Sequence, residues 1–321
     1  MKLLKLVPDN TNIDFMRVRN IALILSVLVT IASLVLVGVK GLNLGVDFVG
    51  GQMIRATFAQ PIEVEQLRDR VGTLNLGEAS IQEAGSTRTY QIRLPKPPGG
   101  EAAANAAASQ VRGMITQQYP GARIDAVETV SGKVSEELAR DGLLAISLAM
   151  LGIAVYIWVR FEWQFGVGAL VTLFHDVSML LGFFALTRLQ VDLNIVAAFL
   201  AVVGYSLNDT VVIYDRIREN LRKYRKMQIV PLLNLSLNET LSRTLVTSGS
   251  IMLALLMLLI FGPDVIFGLT ICILLGTFIG TYSSIYISAP ILVWLGVKPD
   301  SFLRVEEDKN AGAPEIGRAH V

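Results

Sequence analysis

Cysteine is almost missing, with Cys272 alone in 321 residues, so no internal disulfide can form. Charge is scarce too: charged residues make up 17% of the chain, against about 25% in ordinary soluble domains. The formal net charge of +1 leaves no room for the basic face that a nucleic-acid binder needs. Histidine occurs only at 175 and 320, so neither a Cys/His zinc cluster nor a Ser/His/Asp set can be assembled, and no metal is expected. No glycine loop ending in Lys-Ser/Thr is present, which argues against ATP hydrolysis. The expectation is a protein that is not an enzyme and carries no cofactor. What the chain has in excess is apolar residues, 52% of the total, more than a soluble core of this length could hide. An integral membrane protein is the class that remains.

Runs of about 18 residues that are charge-free, or nearly so, are candidate spans, and they fall at 21–39, 142–159, 163–187, 193–214, 244–262 and 265–297. The third contains His175 and Asp176, and the fourth Asp209. The sixth is longer than a bilayer requires, so its ends lie in the interface or it bends at Pro290. Lys2, Lys5, Arg17 and Arg19 precede the first run, and six Lys or Arg residues from Arg216 to Lys226 follow the fourth. The opposite short loops hold only Arg188. Six spans with both termini cytoplasmic satisfy this asymmetry and put Trp158, Trp163 and Trp294 at the inner interface. The expected plan is a cytoplasmic N-terminus (1–20), a first span (21–39), an extracytoplasmic segment (40–134), five further spans within 135–297 with a basic cytoplasmic loop at 215–243, and a cytoplasmic tail (298–321). The first run is longer than a typical signal-peptide core, and Val37-Gly38-Val39 is a poor cleavage site, so it is read as a retained span. Residues 316–321 read like a translated sequencing adapter and are set aside.

In segment 40–134, residues 52–59 alternate as a strand, and Pro61 opens a helix to about Thr73. Strands at 79–84 and 88–94, an alanine-rich helix at 101–118 and a strand at 122–130 follow. The order β-α-β-β-α-β predicts a ferredoxin-like α+β domain outside the membrane.

Ionisable groups inside spans are expensive and are functional candidates by default. Asp209 lies about 9 Å inward from the charged edge at Asp215, and Arg243, read as opening the fifth span, about 6 Å inward from Glu239. At similar depth the two could pair. A carboxylate alternating between an Arg-paired and a protonated form would be a proton relay; a static ion pair between helices is the competing reading. His175 and Asp176 form a possible second proton site, but neighbours in a helix point about 100° apart and need not share one. In the sixth run Gly268, Cys272, Gly276, Gly280, Ser284 and Ser288 place a small residue at every fourth position, a close-packing face for another helix, in this chain or another subunit.

Gly45-Val-Asp47-Phe48-Val-Gly50-Gly51 resembles the signature of the SecD/SecF family of bacterial protein-export subunits, in the resistance–nodulation–division superfamily. Residues 203–219 resemble the longer signature of its SecF branch, and His175-Asp176-Val177 and Ser242-Arg243-Thr244 are similar to it as well. The resemblance runs to about Val305. It implies one six-span half of a twelve-span pseudo-symmetric transporter in the bacterial cytoplasmic membrane, with SecD as the other half. It implies that the proton-motive force helps draw a preprotein outward after the SecYEG channel and SecA have acted, with membrane lipid and a small single-span subunit as further partners. It also implies that Asp209 and Arg243 serve proton conduction. Asp47 and Phe48 could form a hinge beside Gly50 and Gly51, although a tight turn explains those residues as well. A small-molecule efflux transporter of the same superfamily and a non-transporting scaffold are the alternatives.

Overall fold

Among the described residues, six helices are long and apolar enough to cross a membrane. The computed structural model describes residues 11–77 and 79–297, so Lys2, Lys5, His320 and the expected tail from 298 lie outside the described residues. A 3₁₀ turn, Phe15–Val18, leads into α1 (Arg19–Lys40). Residues 41–50 form a strap containing the short helix α2 (Val46–Val49), and the strap feeds the sheet domain.

That domain runs β1 (Gly51–Thr57), α3 (Val64–Gly72), β2 (Ser80–Ala84), β3 (Ser86–Leu94), α4 (Gly100–Gln118), β4 (Arg123–Val130). Its antiparallel sheet has the order β2-β3-β1-β4, the ferredoxin-like arrangement, with Ile54 opposite both Ile92 and Val127. Alternation sends Ile54, Ala56 and Ile92 to the face covered by both helices, where they pack with Leu67, Val71, Val111 and Ile115. The opposite face carries Met53, Arg55, Gln82, Gln91 and Arg93 and sits over the strap. One helix starts later than its proline suggested: Glu63 is extended (ψ 129°), so α3 begins at Val64 rather than Pro61.

The bundle continues with α5 (Gly132–Arg160), α6 (Trp163–Thr187), α7 (Leu193–Lys223), α8 (Ile229–Phe261) and α9 (Phe267–Ser283). A π turn, Ser284–Ser288, then joins α10 (Ala289–Trp294). This irregularity sits where Pro290 offers no N–H to the carbonyl four residues back, so the sixth span departs from regular α-helix just before Pro290.

The expected basic loop at 215–243 is corrected: only residues 224–228 lie between α7 and α8. A charge-free run measures the hydrocarbon crossing, not the helix, and both helices extend beyond it because the extension has its own core. Ile217 and Leu221 of α7 pack with Leu232, Leu233 and Leu237 of α8. Several of its charges are matched within the hairpin or against the end of α5 and the turn after it. Arg216 Nε lies 2.7 Å from Glu239, Arg160 pairs with both Asp215 oxygens at 2.8 and 2.9 Å, and Arg218 lies 3.1 Å from Glu162.

Close helix approaches set the bundle's geometry. The small-residue ladder of α9 faces α7 of the same chain, where a methyl on Gly276 would lie 2.5 Å from Val202 Cγ1 and one on Gly280 3.1 Å from Ser206 Cβ. Cys272 is buried there as a packing residue. A methyl on Gly182 of α6 would overlap the Ser33 side chain of α1 and lie 2.9 Å from its Cα. Backbone cannot rotate out of the way, so overpacking here exceeds the usual ~1–3 kcal/mol. Gly182→Val is expected to lower the thermal unfolding temperature and membrane accumulation sharply. Gly152→Ala, where nothing lies within 4 Å, is expected to lower neither.

Candidate functional site

The middle of the bundle holds two carboxylates on separate helices. Asp176 is 1% exposed on α6 and His175 beside it 4%. Their side chains meet, an arrangement that their angular separation had left open: His175 Nδ1 lies 2.9 Å from Asp176 Oδ1. The other carboxylate oxygen accepts from Ser206 of α7 at 2.5 Å and Ser283 of α9 at 2.9 Å. Asp176 therefore ties three helices through one side chain. His175 Nε2 is buried without a partner among the described residues. Its ring centroid lies 6.4 Å from that of Tyr282, whose hydroxyl is 3.0 Å from Ser26 of α1.

Asp209 is 8% exposed and accepts from Ser248 of α8 at 3.0 Å. A cleft of about 20 Å³, room for about one water, touches Asp209, Ser248 and Ser206. Ser206, one helical turn before Asp209, thus stands between the two carboxylates. The expected pairing of Asp209 with Arg243 is not present: among the described residues no ion pair joins them, although the two charges act on each other through space. Arg243 does not open its helix but lies several turns inside α8, exposed. Beside it on the outer faces of α7 and α8 stand the exposed Gly204, Tyr205, Asn208 and Thr247. A polar seam therefore runs along an otherwise apolar surface.

The signature around Asp47 lies at the junction with the sheet domain. Asp47 Oδ2 accepts from Leu193 N at 3.0 Å and so caps α7, beside the helix's own cap Asp192, which accepts from Ile195 N at 2.9 Å. The strap also pairs with the α6–α7 turn through Gly45 N to Val191 O and Val191 N to Asn43 O, both 2.8 Å. Phe48 packs in the bundle's outer cluster. Gly50 and Gly51 have φ of 71° and 109°, and a methyl on Gly51 would lie 2.6 Å from Leu94 O, so a tight turn requires both glycines. Burial holds the Glu128 and Asp192 carboxyls at this junction above the ordinary carboxylate range.

Sequence reasoning picked out both carboxylates but not Ser206, Ser248, Ser283 or Tyr282. Their one visible signal was spacing, since Ser206 precedes Asp209 by three residues and shares its face. Among the described residues no group of three or more His, Cys, Asp and Glu side chains could hold a metal ion.

Fold and site define a polytopic membrane protein with carboxylates stored inside its bundle and a ferredoxin-like domain strapped to one end. Residues 110–298 match the family described as protein export membrane protein SecD/SecF, C-terminal, and residues 35–62 match the SecD/SecF GG motif. The protein translocase subunit SecF of Cereibacter sphaeroides is 43% identical over 92% of this chain and 93% of that protein. SecF of Rickettsia rickettsii is 41% identical over 90% of this chain and 94% of that protein. The crystal structure of SecDF, a translocon-associated membrane protein from Thermus thermophilus, is similar with a TM-score of 0.82 at 31% identity, over 90% of this chain. This chain spans 39% of that one. The chain belongs to the SecD/SecF family.

Proposed function

We propose that this chain is the SecF-type accessory subunit of bacterial protein export, a transport subunit rather than an enzyme, working with SecD in the cytoplasmic membrane. The sheet domain is extracytoplasmic and both termini are cytoplasmic, in keeping with the basic hairpin of α7 and α8 and with Trp158, Trp163 and Trp294 at the end remote from that domain. The proton-motive force drives the cycle, promoting preprotein release after SecYEG and SecA have acted. A proton crossing the potential supplies roughly 2.3 kcal/mol per 100 mV.

The observation that carries this function is the placement of Asp209, buried deep in a span and touching a one-water cleft, behind an exposed polar seam that includes Arg243. A polar seam facing hydrocarbon is costly, and a second helical bundle laid over it removes that cost. SecD, which is joined to SecF in the longer SecDF relative, is the natural cover. The test is preprotein release from vesicles holding this chain, SecD, SecYEG and SecA, with the proton gradient present or collapsed by an ionophore. Release is expected to fall when the gradient collapses and to depend on this chain. Equal release in both conditions would overturn the proposal.

A further inference from the structure

Arg55, on the sheet face turned toward the membrane, is 7% exposed, and its Nε and one terminal nitrogen are buried with no partner. No hydrogen bond or ion pair reaches its side chain among the described residues, although Glu128 and Asp192 act on it through space. A buried guanidinium without a bound counter-charge is costly. It borders a cavity of about 190 Å³ between the sheet and the start of the bundle. Gln190 borders the same cavity, and its Nε2 is also buried without a partner. In register with Arg55 across the sheet stand Gln91 and, beyond it, Gln82. The far wall is the first turn of α9, Phe267–Leu269, whose N-terminus has no side-chain cap. Arg55 and Gln190, each carrying an unpartnered donor, and an uncapped helix N-terminus therefore border one space, residue types that suit an oxyanion.

We infer that this junction cavity binds the phosphodiester of an anionic phospholipid headgroup in the leaflet on the sheet-domain side. The position selects a lipid over a free ion. The cavity's wall is the beginning of a membrane span, and exposed Val265 stands beside it where acyl chains begin. The sheet contributes Arg55 and Gln91 of its membrane-facing surface as well as residues 82–85 at the edge strand β2, so strand pairing by an extended peptide is the competing occupant that the test must separate. Asp192 and Glu83 also border the cavity and oppose an anion.

Native mass spectrometry of the full chain from nanodiscs tests the site, with phosphatidylglycerol titrated into phosphatidylcholine. One phosphatidylglycerol is expected to stay bound after the others are stripped. Arg55→Gln is expected to lower that retention by roughly tenfold or more, the loss of charge-assisted bonds. Arg55→Lys, which keeps the charge and protects the fold, is expected to fall between the two, and Gln190→Leu to weaken retention at an unchanged unfolding temperature. Three results would overturn the inference: equal retention by Arg55→Gln, displacement of the lipid by millimolar inorganic phosphate, which assigns the site to a free oxyanion, or displacement by an unfolded preprotein segment, which makes it a peptide site.

Discussion

Asp209→Asn is expected to assemble normally and to lose gradient-dependent preprotein release, down to the level seen when the gradient is collapsed. The substitution conserves shape, and the asparagine oxygen still accepts from Ser248, so the packing of α7 against α8 has no reason to change. What disappears is the capacity to take up and release a proton. Neutralising Asp209 also removes an anion that interacts with Arg243 through space, and such a shift in charge balance can bias two packings of the bundle. The measurement is release by reconstituted vesicles, beside co-purification with SecD as the control for assembly. Full retention of the gradient-dependent step would make Asp209 a structural group, and the scaffold alternative would then lead.

Asp176→Ala is expected to act differently, on stability. It strips the acceptor from Ser206, Ser283 and His175 together, in a place water does not reach. Stranding buried polar groups costs about 3 kcal/mol in total, enough to lower the unfolding temperature by roughly 5–10 °C. Asp176→Asn, with the same shape and one remaining oxygen acceptor, should lie between Ala and wild type. Adding Ser206→Ala to Asp176→Ala should cost little more, since the hydroxyl has already lost its acceptor. Strictly additive losses in that cycle, or an Ala variant as stable as wild type, would show that the three helices are not joined through this carboxylate.

What the sequence made legible was whatever depends on one residue at a time. The run at 163–187 became α6 with both boundaries unchanged, and the fourth run and α7 begin at the same residue, Leu193. The β-α-β-β-α-β order was legible because alternation in each strand and turn residues between them are local signals. Relations between distant residues were not. Serines inside apolar helices look like filler, so apart from the three-residue spacing of Ser206 and Asp209 nothing marked Ser206, Ser248 and Ser283 as the partners of the two aspartates. His175 and Asp176 diverge along the backbone, yet their side chains fold back to meet, and a backbone angle could not foresee that. The expected loop at 215–243 failed for a related reason: the α7–α8 hairpin is stabilised by contacts between its own arms, which a charge-free run cannot register. Arg55 looked like an ordinary strand arginine, because only the assembled sheet and bundle bury it.

The strap at residues 41–50 has a mechanical consequence. Asp47 holds the first turn of α7, and Arg93 of the sheet donates to Leu44 O of the strap at 2.5 Å. The external domain is thus bolted to the end of the rod that carries Asp209, about 24 Å farther along at helical rise. A rod pivoting at Asp209 by about ten degrees would swing its bolted end by about 4 Å. Joined in this way, the domain would act as a pointer fixed to the rod, carrying any tilt of α7 at Asp209 outward as displacement.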